Sequence, residues 1–100
     1  MTPLSRHFNV EDLCVSRDYP DLALKALPEA LDPEMLANGR RLAENILEPL
    51  LVLFPAGIEI HNGFRSHALN LAVGGSPTSQ HCYFQAVDFL PLDPLGLGIP

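Results

Sequence analysis

Two side chains of this 100-residue chain are of types, and at a spacing, that invite metal chemistry: His81 and Asp88. Both lie in Ser79-Gln80-His81-Cys82-Tyr83-Phe84-Gln85-Ala86-Val87-Asp88-Phe89. His81 follows the turn-prone run Gly74-Gly75-Ser76-Pro77-Thr78-Ser79, which places it on a loop. Asp88 falls inside Gln85–Leu90, which reads as a short strand with apolar residues on both sides. A carboxylate buried there without a partner is costly or titrates to neutral. It needs a cation, a set of hydrogen-bond donors, or a metal. Neutral imidazole and carboxylate are both ordinary zinc ligands, so a histidine arriving from the preceding loop suits a metal site. The rival reading pairs Asp88 with Arg65 as a buried ion pair and needs no metal.

The elements that must position these residues are legible upstream. Asp32 is a good N-cap, Pro33 suits the first helical position, and Glu34 complements the helix dipole. Met35, Leu36, Leu42, Ile46, Leu47, Leu50 and Leu51 then recur at helical spacing, predicting a long core helix. Gly39 weakens it by about 1 kcal/mol relative to alanine. Pro49 should kink or end it near its last turn. Arg40, Arg41 and Glu44 form its solvated face. Ile58-Glu59-Ile60-His61 alternates as a half-buried strand does, and Asn62-Gly63 is expected to turn the chain. Ser66 can cap a short helix through Val73, which Gly74-Gly75 ends.

The N-terminal part is less regular. Asn9 can cap a helical turn carrying Glu11 and Asp12, with Phe8, Leu13 and Val15 docking it on the body. Leu22 to Leu31 is ambiguous, with Pro28 interrupting any helix. At the other end, residues 91–100 hold three prolines and two glycines beyond Leu90 and read as an irregular tail. One domain spans 1–100; no internal repeat is visible.

Composition excludes several classes of function. The chain is 47% hydrophobic and 18% charged, enough apolar residue for a core. Its formal charge of −6 leaves no basic run to neutralise nucleic-acid phosphates or dock on an anionic membrane. The longest apolar run, Ile46 to Phe54, is interrupted by Glu48 and Pro49 and falls short of a membrane span. No signal-peptide pattern is visible at the N-terminus, so the chain is expected to be cytoplasmic as synthesised. Cys14 and Cys82 read as free thiols.

Ser79-x-His81 followed by Ala86-x-Asp88 resembles the zinc signature of the D-alanyl-D-alanine carboxypeptidases and the related bacteriophage peptidoglycan endopeptidases. Asn62-Gly63-Phe64-Arg65-Ser66 resembles that family's Ser-Gly-Tyr-Arg-Ser segment. Leu69-Asn70-x-Ala72-Val73-Gly74-Gly75-Ser76 resembles the connection leading to the histidine, and Leu42–Leu50 the long helix before it. The resemblance runs from about Phe8 to Phe89. It implies an α+β domain of Hedgehog/DD-peptidase type, a small antiparallel sheet packed on helices. It also implies a Zn2+-dependent peptidase acting on peptidoglycan peptides, either a carboxypeptidase or an endolysin-type endopeptidase. His81 and Asp88 would be metal ligands. Arg65 would stabilise the developing oxyanion or hold the substrate carboxylate, and Ser79 would line the site and bind substrate. Phage release or virion association is the route the resemblance implies for such an enzyme.

Two departures accompany the resemblance. The family usually has glycine where this chain has Phe84, and glycine permits torsions that a residue with a Cβ resists. The family also takes a third zinc ligand, a histidine, and a catalytic acidic residue from a later strand. The chain reaches Pro100 before any Trp-x-His-like segment, so the C-terminal strands are expected to be missing. An exposed strand edge prone to self-association is then expected. The alternative function is a non-catalytic remnant or peptide-binding module, with Asp88 paired to Arg65 and no tight metal.

Overall fold

The computed structural model describes residues 1–99. The main helix starts where the local chemistry requires. The Asp32 carboxylate accepts the Glu34 and Met35 backbone N–H groups at 3.1 and 3.4 Å, and Pro33 opens the first turn. Helix α4 runs Pro33–Leu42, a π-helical turn follows over Ala43–Leu47, and α5 continues over Glu48–Leu53. Pro49 therefore neither ends the helix nor stands at its last turn. It has no N–H for the Asn45 carbonyl, and its ring would collide with that carbonyl in a regular α-turn. The wider turn absorbs this: the Glu48 N–H reaches back five residues to the Ala43 carbonyl. The same widening leaves Leu47 buried while Ile46, expected in the core stripe, is 52% exposed.

Short helices precede this rod. Helix α1, Val10–Leu13, is entered at Asn9, whose backbone N–H donates to the Asp12 carboxylate at 2.8 Å. The ambiguous stretch resolves into α2, Pro20–Lys25, and α3, Leu27–Ala30, each with proline in its first turn. The helical run is interrupted as expected: α2 stops at Lys25, and Pro28 stands in the first turn of α3, where proline costs no hydrogen bond. Helix α6, His67–Ala72, is capped by the Ser66 hydroxyl, which accepts the Leu69 N–H at 3.1 Å.

Strand β1, Ile58–Asn62, pairs antiparallel with β2, Asp88–Pro91. Ile60 faces Phe89 and Asn62 faces Asp88, with a register irregularity between. Asn62-Gly63 does not turn the chain. Gly63 and Phe64 donate backbone N–H groups to the Val15 and Leu13 carbonyls at 3.0 and 2.8 Å, prolonging β1 along the N-terminal segment. β2 begins later than the sequence suggests, because the Gln85 N–H is committed to the Gln80 carbonyl at 3.0 Å. Beyond β2 the tail folds back on itself. Asp93 accepts the Leu95 and Leu97 N–H groups at 2.9 Å each, and the Ile99 N–H donates to the Pro91 carbonyl at 2.8 Å. The result is an α+β fold with a small antiparallel sheet, its core built on Phe8, Val10, Leu13, Leu42, Leu47, Phe64 and Phe84. No helix of the described residues is long and apolar enough to cross a membrane.

Phe84 closes a 3₁₀ turn, Gln80–Tyr83, in a left-handed conformation, φ 58° and ψ 41°. It is the one non-glycine residue with positive φ among those described. Its ring is fully buried, 5.3 Å from the Phe64 ring, and lies against Gly39 of α4. A Cβ at residue 39 would sit 2.9 Å from that ring. The helix glycine, unfavourable locally, thus makes room for the aromatic group. Burial of the ring contributes about 3–5 kcal/mol, against about 1–2 kcal/mol for the left-handed backbone. Phe84→Gly is therefore expected to lower stability by about 2–3 kcal/mol in urea denaturation, despite the relieved backbone.

A second long-range tie joins the N-terminus to α5. The Glu48 carboxylate accepts from the Ser5 hydroxyl at 2.6 Å, the His7 backbone N–H at 2.8 Å and the His7 ring at 2.6 Å. Burial opposes its charge, but these hydrogen bonds and the neighbouring imidazole hold the carboxyl down at about 2, against an ordinary 4.5. Because the folded value is depressed, the contribution is complete above about 4.5 and lost as pH falls toward about 2. Glu48→Gln is expected to cost about 1 kcal/mol at pH 7 and to flatten the acid limb of a stability-against-pH curve.

Candidate metal centre

His81 sits in the 3₁₀ turn, whose start is capped by Ser79: the Ser79 hydroxyl accepts the His81 backbone N–H at 3.3 Å. The His81 carbonyl accepts the Arg65 backbone N–H at 3.1 Å, which ties the turn to the segment between β1 and α6. The imidazole is itself held at one nitrogen. Nδ1 lies 2.9 Å from the Gly63 carbonyl oxygen. A carbonyl only accepts, so Nδ1 carries a proton, and in the neutral imidazole Nε2 is the nitrogen that presents its lone pair. Nε2 lies 3.6 Å from Asp88 Oδ1. Two ligands on a tetrahedral zinc, each about 2.0–2.1 Å from the ion, are about 3.3 Å apart. The pair is thus within a few tenths of an ångström of a shared coordination sphere.

Asp88 differs from expectation in its surroundings. It opens β2 rather than lying within a strand, and its side chain is 56% exposed. Its environment therefore does not by itself demand a cation. Its partners are His81 and Asn62, whose Nδ2 donates to Asp88 Oδ2 at 3.2 Å. The Arg65 guanidinium instead reaches the Asn70 side-chain oxygen at 3.5 Å. Among the described residues no ion pair joins Arg65 to Asp88, so the metal-free pairing expected under the alternative reading is not formed. Asn70, buried at the C-terminal half of α6, also donates to the Gly75 and Ser76 carbonyls at 3.3 and 2.9 Å, fixing the loop that leads to Ser79.

The other candidate donors stand apart. His7 is engaged by Glu48, the His61 ring lies 3.3 Å from Glu59, and His67 is exposed on α6. Burial pushes the Cys82 thiol up, an effect the Arg65 guanidinium opposes and the Glu29 charge reinforces. A protonated thiol is a poor zinc donor. Both cysteines are free. Among the described residues, no group of three or more His, Cys, Asp and Glu side chains is placed to hold a metal ion. The donor set therefore fits two corners of a tetrahedral zinc shell and leaves the others to groups outside it.

Asn62 and Gly63 are the supporting residues that pattern reading missed. One orients the carboxylate and the other the imidazole, through contacts 26 and 18 residues away in the chain. The signal in the sequence was their position at the end of β1, immediately before Phe64-Arg65-Ser66, but their role emerges only once β2 is paired.

No curated protein and no solved structure matches the chain. The family model described as Peptidase M15 matches residues 7–94, from the segment before α1 through β2 and with it both His81 and Asp88, and the chain belongs to the peptidase M15 family.

Proposed function

We propose that the chain acts as a zinc-dependent peptidase on peptidoglycan peptides, with His81 and Asp88 as metal ligands. Family membership supports peptidase chemistry. The observation that carries the metal reading is the approach of His81 Nε2 to Asp88 Oδ1 at 3.6 Å, with Nδ1 held from behind by the Gly63 carbonyl. Zinc, when bound, supplies a Lewis acid for the peptide carbonyl and acidifies a water molecule to near neutrality. The chain's own residues would do the rest. Arg65 offers a permanent charge for a substrate carboxylate or for the carbonyl oxygen as it gains charge. Ser79, whose oxygen already accepts the His81 N–H, keeps its own proton to donate to a bound peptide.

The second reading, a peptide-binding module without catalysis, is favoured by the two-ligand donor set. One experiment separates them. Purified protein is dialysed against trace zinc, its metal content measured, and peptidoglycan stem peptide incubated with it and followed by mass spectrometry. The enzyme reading expects about one zinc per chain and a shortened peptide. Retained peptide without cleavage supports the module. Absence of both zinc and cleavage defeats the zinc-peptidase reading.

A further inference from the structure

We infer that Asn62 is a positioning residue for the metal: its amide turns the Asp88 carboxylate so that a single oxygen faces His81. The inference rests on the zinc reading above and adds a role for a residue outside the ligand set. Asn62 and Asp88 are paired across β1 and β2, one step beyond the register irregularity that follows Ile60. Such irregularities re-aim side chains at the ends of ladders. Here the effect is to bring Asn62 Nδ2 to 3.2 Å from Asp88 Oδ2, while Oδ1 is left toward Nε2 of His81.

The amide cannot serve equally well reversed. Asn62 Oδ1 accepts the Arg17 backbone N–H at 3.4 Å, so the donor end is the end that meets the carboxylate. The backbone of β1 at this point is held on its other side as well: Asn62 bridges to Ser16, and Gly63 donates to the Val15 carbonyl. Asn62 is thus fixed from the N-terminal segment and transmits that placement to Asp88. Without it, an aspartate that is more than half exposed would rotate freely about its side-chain bonds. A metal ion would then have to bear the ordering of that side chain. Gly63, the next residue, does the same for the imidazole through its carbonyl. One dipeptide therefore presets both ligands, as outer-shell hydrogen bonds do at metal sites generally.

The test compares zinc affinity, by chelator competition, of the full chain with that of Asn62→Ala and of Asn62→Leu. The leucine variant keeps the bulk but has no donor, so the strand packing is retained should alanine weaken it. Urea midpoints and the ¹⁵N shifts of the His81 ring in metal-free protein are measured alongside. Both variants are expected to bind zinc about 10- to 100-fold more weakly, with the urea midpoint and the Nδ1-protonated ring unchanged. Zinc affinity within about threefold of the parent chain in either folded variant overturns the inference. So does a loss of affinity accompanied by a changed His81 tautomer or a matching loss of stability, which marks a merely structural residue. A parent chain that holds no zinc defeats the zinc reading itself, and the role of Asn62 falls with it.

Discussion

His81→Ala is expected to abolish measurable zinc retention, with affinity falling by at least about 100-fold, and to remove any peptide hydrolysis with it. The size follows from geometry. In the zinc reading proposed above the ion rests on two ligands, 3.6 Å apart at Nε2 and Oδ1, so removing one halves the set rather than trimming it. The cost to folding should be small by comparison. The ring makes one hydrogen bond, to the Gly63 carbonyl, and its loss is worth about 1 kcal/mol. The prediction is thus a separation of effects: metal lost, fold kept. His61→Ala is the matching control. His61 lies on β1 with its ring toward Glu59, and its removal should leave zinc affinity within about twofold. Equal losses in the two variants would show that the imidazole of His81 has no special place in the site. Asp88→Asn keeps the shape of the side chain while removing its charge, and is expected to follow His81→Ala in zinc affinity.

Gly63→Ala should lower stability by about 3 kcal/mol or more by denaturant titration, because a Cβ there meets the closest overlap at any of the described glycines. A Cβ at that position would overlap the Leu13 carbonyl oxygen and lie 2.7 Å from the carbonyl carbon. Both are backbone atoms and cannot swing aside. The Leu13 carbonyl is also the acceptor for the Phe64 N–H at 2.8 Å, and Gly63 itself donates to Val15. Relief of the overlap must therefore separate β1 from the segment after α1 and break hydrogen bonds on both sides. The same displacement moves the Gly63 carbonyl that holds His81 Nδ1. Zinc affinity should fall together with stability, in contrast to His81→Ala. A variant with an unchanged urea midpoint would mean that the two segments are not packed as closely as these distances require.

What could be read without tertiary structure was whatever a few neighbouring residues decide. Asp32-Pro33-Glu34 sets the start of α4, Ser66 caps α6, and the alternation of Ile58 to His61 marks β1, because caps and pleats depend on groups within four residues of one another. His81 and Asp88 were also legible as a pair, through their chemical types and through the motifs around them. The tertiary structure decided everything that depends on contacts distant in sequence. Phe84 is left-handed because a pocket beside Gly39 and Phe64 holds its ring, a gain that outweighs the strain of the backbone. At Pro49 the helix passes through a π-turn and continues, with the Glu48 N–H bonded to the Ala43 carbonyl and Leu47 buried in the core. Asp88 stands at an exposed strand end rather than in a buried one, since the turn at Phe84 takes up the residues before it. Asn62 and Gly63 became supports for the site because strand pairing, which no local pattern encodes, set them opposite Asp88 and beneath His81.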